Sequence, residues 1–140
     1  MRPVLMSHYP LYRKSDAHCQ EPDGAPPEDK GETFREGWDC LTRAASTLLL
    51  EQLRPALVLS GHTHHGCNTS HPAPGPGGGA VPEISVSSFS WRNKKNPAFL
   101  LGLFSNELHL LSKCYMPDEN TLFTTYYFFI SLLLISLFIK

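Results

Sequence analysis

His62 and His64, in Ser60-Gly61-His62-Thr63-His64-His65-Gly66, follow closely on the apolar run Ala56-Leu57-Val58-Leu59. Side chains at i and i+2 of an extended segment share a face, so His62 and His64 can aim at one point. Neutral imidazole is the commonest protein metal ligand near neutral pH, and flanking glycines let backbone approach an ion closely. A histidine-rich surface loop would have the same composition, but the apolar run just before it favours a metal corner. A third histidine, His8, stands in Ser7-His8-Tyr9-Pro10 after the short apolar stretch at 2–6. If the two runs are parallel neighbouring strands, their C-terminal ends share a sheet edge, where open α/β folds place their ligands. A transition-metal centre there would polarise a phosphoryl oxygen and bring the pKa of a bound water near neutral, so phosphoester hydrolysis would need no protein nucleophile. Histidines alone compensate two divalent ions poorly. Most of the acidic residues lie in a loop or near the C-terminal apolar segment, and none directly follows an apolar strand, so the residues make half of a site.

The elements that must position these histidines follow from pattern. Residues 2–6 read as a short strand, which Pro10 prevents from continuing. Residues 16–32 are acidic and rich in Pro and Gly, with too little apolar content to pack, and read as a mobile surface loop that leaves His18 and Cys19 solvated. Asp39 is placed to cap a helix running to about Gln52, with Leu41, Ala44, Ala45, Leu48, Leu49 and Leu53 on one buried face. Arg54-Pro55 ends it, and Ala56–Ser60 is the next strand. Strand, loop, helix, strand is an α/β pattern. Residues 71–80 are almost wholly Pro, Gly and Ala and read as a flexible connection, with His65 and His71 as exposed loop histidines. Three further strands are expected at Glu83–Phe89, Ala98–Phe104 and Leu108–Cys114, the last two joined by a turn at Ser105-Asn106-Glu107. Arg13 reads as a solvated side chain.

The 140 residues suit one domain, and a net charge of -1 offers no electrostatic argument for nucleic acid. The four cysteines, Cys19, Cys40, Cys67 and Cys114, contain no CxxC pair and allow two disulfides in three connectivities. The N-terminus is too short in apolar residues to be a signal peptide. There is no internal repeat, phosphate-binding glycine loop, or serine or cysteine nucleophile motif. From Asn120 to Ile139 no residue is charged. About 20 residues at about 1.5 Å rise match the roughly 30 Å of a bilayer core, and Thr124, Thr125, Ser131 and Ser136 are too mild to make a polar stripe. A transmembrane helix is expected over 120–139, with Lys140 weakly favouring a cytoplasmic C-terminus.

Ser7-His8-Tyr9-Pro10-Leu11-Tyr12-Arg13, followed by Leu57-Val58-Leu59-Ser60-Gly61-His62-Thr63-His64, resembles the last two motif blocks of the calcineurin-like metallophosphoesterases. Val81–Asn93 and Leu111–Tyr115 narrow the resemblance to the branch that removes an ethanolamine phosphate from the mannose core of GPI anchors. The resemblance implies that residues 1–117, with loops at 17–33 and 71–80, are the C-terminal part of a layered α/β sandwich, followed by the transmembrane helix. It implies two divalent ions, manganese in that branch, with His8 and His62 on one and His64 on the other. It also implies GPI-anchored proteins as substrates and a luminal domain in membranes of the early secretory pathway, from endoplasmic reticulum exit sites to the Golgi, where trimming supports cargo export. The family's early blocks, Asp-x-His, Gly-Asp-x-x-Asp and Gly-Asn-His-Asp/Glu, do not occur here. The expectation is therefore a C-terminal portion without catalysis of its own. The competing reading is a non-catalytic, membrane-tethered module that binds a metal or a partner.

Overall fold

The computed structural model describes residues 2–73, 75, 78–105 and 108–139. Its elements in chain order are β1 (Val4–Met6), α1 (Arg43–Leu53), β2 (Leu57–Ser60), β3 (Cys67–Pro72), β4 (Ala80–Ser85), β5 (Ala98–Phe104), β6 (His109–Tyr115) and α2 (Glu119–Phe138). The class is α/β. One sheet has the order β1-β2-β4-β3, and β5 and β6 form a separate hairpin. β1 and β2 are parallel, with Leu5 opposite Val58, and β2 and β4 are parallel, with Leu59 opposite Ile84. The core beneath α1 is Leu11, Leu50, Val58 and Val81, with Leu5, Leu41, Leu49 and Ala73 packed around it.

Helix α1 starts three residues later than the Asp39 cap would have it. Thr42 is the N-cap, its Oγ1 accepting from Ala45 N at 3.1 Å. Asp39 instead accepts from Arg35 N at 2.8 Å and Arg35 Nε at 3.1 Å, closing the preceding turn. The buried face is also rotated from the expected one. Ser46 and Leu50 are buried, whereas Leu48 is 58% and Leu53 42% exposed. Ser46 Oγ accepts from Tyr12 N at 2.8 Å on the buried face, and Leu48, about 200° further round, faces away from it. At the far end Arg54 takes the left-handed conformation (φ 45°) and Pro55 follows, a stop legible from sequence.

The acidic Pro/Gly segment is not the solvated loop its composition suggested. Cys19 is fully buried and disulfide-bonded to Cys67, 48 residues away. Asp23 is buried and accepts from Lys113 Nζ at 2.9 Å, and its carbonyl accepts from Gly66 N at 2.9 Å. A side chain at Gly66 would collide with the Asp23 carboxylate, so glycine is required there by close approach. A covalent link and an ion pair anchor the segment, and neither depends on apolar content. Of the two disulfides that four cysteines allow, one forms among the described residues; Cys40 is buried and free, and Cys114 is free and half-buried.

The expected connection over 71–80 is shorter than its composition implied. β3 runs to Pro72 and pairs antiparallel with β4, His71 opposite Val81, so β4 begins at Ala80, three residues before the expected strand. β5 has the expected bounds, and β6 is shifted by one residue. Ser105 N donates to Leu108 O at 2.8 Å across the hairpin end, while Asn106 and Glu107 of the expected turn lie outside the described residues. Helix α2, capped by Asp118, is long and apolar enough to cross a membrane and buries no residue against the rest of the chain. Thr125 and Ser131 donate to the carbonyls of Thr121 and Tyr127, four residues back, which satisfies their hydroxyls within the helix. Lys140, on which the orientation argument rests, lies outside the described residues.

Candidate metal centre

The parallel β1–β2 pair extends past both strand ends to the histidines. Ser7 N donates to Leu59 O at 2.9 Å, and Gly61 N donates to His8 O at 3.1 Å. This stitching brings His8 Nε2 within 3.0 Å of His62 Nδ1, the two rings meeting edge-on at 4.9 Å and 77°. Tyr9 packs against both rings, 4.2 Å from His62 and 5.1 Å from His8 between centroids.

His62 and His64 do not share a strand face. β2 stops at Ser60, Thr63 N turns back to Gly61 O at 2.8 Å, and both histidines have left-handed backbone, φ 67° and 61°. Two such non-glycine residues in one turn cost about 1–2 kcal/mol each. They mark this corner as a place where conformation serves something other than stability. His64 is exposed and stands apart from the His8–His62 pair; its carbonyl accepts from Ser88 N at 3.4 Å.

A polar cavity of about 440 Å³ opens beside His62, walled by Thr63, His65, Asp29, Glu32, Arg35 and Asp39. The hydrogen bonds from Arg35 hold the Asp39 carboxyl below its usual pKa. His65 is half-buried, correcting the exposed reading, and its Nδ1 faces Lys94 Nζ at 3.0 Å. An ammonium only donates, so Nδ1 accepts and the neutral ring carries its proton on Nε2. Burial first, and then the Lys94 charge, push the His65 pKa down, and burial likewise lowers Lys94.

Below the corner lies a buried polar network that pattern reasoning missed. Glu83, fully buried in the middle of β4, accepts from Leu11 N at 3.0 Å and Ser60 Oγ at 2.7 Å through Oε1. Its Oε2 accepts from His71 Nε2 at 2.6 Å, with Arg13 Nη1 at 3.9 Å. His71 is therefore a buried strand residue, and Arg13 is buried too: it pairs with Asp16 at 2.7 Å, donates to Ser85 Oγ at 2.9 Å and lies over the Phe34 ring. The alternation Val81, Glu83, Ser85 carried a faint signal, since all three point inward. A glutamate at an inward position is ordinarily read as evidence against a strand.

Elsewhere His18 Nε2 sits 4.0 Å from the sulfurs of Cys19 and Cys67 and 2.9 Å from Thr69 Oγ1. These are the three donors that cluster most tightly among the described residues, all within 4.8 Å. The sulfurs are bonded to each other, so neither is available as a thiolate ligand.

Over 124 residues, 89% of its length, the chain is 53% identical to the Rattus norvegicus protein named Metallophosphoesterase 1, of which the matched stretch is 30%. The Mus musculus protein of that name matches equally over the same shares, and the Gallus gallus protein is 48% identical over 126 residues, 90% of this chain and 30% of its own length. By sequence, the chain is similar to part of these proteins named Metallophosphoesterase 1. It spans about 30% of the length of these curated relatives. No protein-family model and no solved structure matches it.

Metallophosphoesterases depend on divalent metal ions, and the histidine pair suits one. Adjacent donors on an octahedral ion with bonds of about 2.1 Å lie about 3.0 Å apart. The separation of His8 Nε2 and His62 Nδ1 is 3.0 Å. The two nitrogens are hydrogen-bonded to each other, so the proton between them would have to leave for both to bind an ion; Tyr9 packs against both rings. His64 is not part of this pair.

Proposed function

We propose that the chain is the histidine-bearing portion of a dimetal phosphodiesterase that removes ethanolamine phosphate from the mannose core of GPI anchors. The observation that carries this reading is the His8–His62 pair at adjacent parallel strand ends, in a chain about half identical to proteins named Metallophosphoesterase 1. His8 and His62 hold one divalent ion and His64 the other, with manganese as the metal. Such an ion supplies Lewis acidity toward a phosphoryl oxygen. The chain's own contribution is to bind and orient: the strand pairing sets the two imidazoles, and Tyr9 keeps them facing. α2 tethers this domain to a membrane of the early secretory pathway with the histidines on the luminal side, where trimming supports transport of GPI-anchored proteins from the endoplasmic reticulum to the Golgi.

The test places this chain in the Rattus norvegicus protein in place of the 124-residue stretch it matches. With manganese supplied, the chimera is expected to hydrolyse bis(p-nitrophenyl) phosphate and to remove one ethanolamine phosphate from GPI glycans read by mass spectrometry. His62→Ala or His64→Ala is expected to abolish both while the circular dichroism stays unchanged. Undiminished turnover in either variant would sink the assignment. The 140-residue chain alone is expected to turn over nothing, because its histidine pair has no carboxylate ligand in contact among the described residues. That same feature favours a second reading, a non-catalytic membrane-tethered metal-binding module, which an inactive but metal-binding chimera would support.

A further inference from the structure

We infer that Glu83 is the positioning residue of the histidine corner: it sets the spacing of His8 and His62 without touching either. Its Oε1 accepts from two groups at once, Leu11 N at 3.0 Å and Ser60 Oγ at 2.7 Å. Leu11 is three residues beyond His8, and Ser60 is two residues before His62. One carboxylate oxygen therefore joins the two segments that carry the imidazoles, just inside the point where β1 and β2 stop pairing. The other oxygen is held from the opposite side by His71 Nε2 at 2.6 Å, with Arg13 Nη1 at 3.9 Å.

The backbone bonds from Ser7 N to Leu59 O and from Gly61 N to His8 O join the same segments, and the Glu83 carboxylate adds a side-chain clamp on their inner side. Ser60 Oγ also meets Ser85 Oγ at 3.0 Å, and Ser85 Oγ accepts from Arg13 Nη1 at 2.9 Å, so the same network clamps Ser60 and the segment after His8. Glu83 is fully buried and lies mid-strand in β4, which is hydrogen-bonded on both sides, by β2 and β3. A buried carboxylate with this many partners is costly to leave half-satisfied, so the segments cannot drift apart without exposing an unmet acceptor. Outer partners of a metal-binding histidine commonly change metal affinity about 10- to 100-fold when removed. Glu83 acts one step further out, through backbone.

The inference rests on the reading of His8 and His62 as ligands only for its metal arm, so the test has two arms. In the metal-free 140-residue chain, in detergent micelles, NMR reads the cross-relaxation between the His8 and His62 rings, which lie 4.9 Å apart. Glu83→Ala is expected to lose it. Glu83→Gln, whose amide oxygen still accepts from Leu11 N and Ser60 Oγ, is expected to keep it. Leu50→Ala, a core change outside the network, is expected to lower the melting temperature and leave the ring contact intact, which separates positioning from general stability. In the second arm cobalt(II) is titrated, and Glu83→Ala is expected to weaken binding about 10-fold or more, with Glu83→Gln close to the unaltered chain. A folded Glu83→Ala chain that retains the full ring contact overturns the inference. If Glu83→Ala does not fold, Ser60→Ala decides in its place, and an unchanged ring contact there overturns it. An unaltered chain that keeps the ring contact but binds no cobalt refutes the ligand reading and leaves the positioning of the rings standing.

Discussion

The histidine corner and the network beneath it are built on opposite terms. Around Glu83 the side chains are buried and tied: β4 carries the carboxylate, and β3, the segment after β1 and the end of β2 all donate to it, with Arg13 Nη2 the one buried donor of the network left without a partner among the described residues. Within four residues of those donors, His8 and His64 are exposed, and His62 and His64 sit in left-handed backbone. Satisfied buried polar groups make position rigid at the expense of access, whereas exposed imidazoles have access and no rigidity of their own. The comparison teaches that precision at the corner is inherited from a layer that never meets a ligand.

The sharpest way to break that comparison is to damage the rigid layer. Arg13→Ala leaves Asp16 and Glu83 buried without their cation and is expected to cost about 3–5 kcal/mol in chemical denaturation. If instead the variant loses under about 1 kcal/mol, the network is not the rigid partner described here. Next in size, Cys19→Ser together with Cys67→Ser should cost about 2–4 kcal/mol, measured the same way against the unaltered chain under oxidising conditions. A reductant should reproduce that loss in the unaltered chain and have no effect on the double variant.

A smaller effect comes from Asp23 and is confined to acid. Burial alone would raise the Asp23 pKa, but the Ser87 hydroxyl and Lys113 outweigh it and hold it below the ordinary 3.8. A carboxyl whose folded pKa is depressed stabilises fully above its unfolded value, and that stability is lost as pH falls through the folded value. Thermal stability should therefore decline on acidification below about pH 4, and Lys113→Met should flatten the decline. Lys113 shifts the other way: burial lowers it, yet Asp23 raises it above 10.5 on balance, so its share persists until pH climbs past that value. The smallest change is expected at the corner itself. His62→Gly relieves the left-handed strain and should alter stability by no more than about 1 kcal/mol, in the stabilising direction. A large destabilisation would show that the imidazole pair holds the fold together, contrary to the contrast drawn here.

Much of the frame was legible without coordinates. β1, β2, β5, β6 and α2 appear close to their expected places because each rests on local information: an apolar run, a proline or turn at its end, or an unbroken apolar stretch. The approach of His8 to His62 was legible for the same reason, since parallel neighbours put their C-terminal ends together. β3 was hidden because Cys67-Asn68-Thr69-Ser70-His71-Pro72 has no apolar alternation; its ladder to β4 and the burial of Cys67 and His71 define it. The helix face was half right: Leu41 and Leu49 pack against the core, but Leu50 and Ser46 are its buried members, because a run of adjacent leucines fits faces that differ by one residue.

By itself the sequence determined the α/β class, the apolar length of α2, the histidine types and the strand ends that bear them. These depend on residues within a few positions of one another, where backbone geometry imposes the period. Only the tertiary structure decided that Cys19 meets Cys67, that Arg13 and His71 are buried, and that Glu83 lies between the two histidine segments. Each of these pairs residues tens of positions apart. A charge or a thiol is buried only when a specific partner offsets its desolvation, and the identity of that partner is a property of the packed chain.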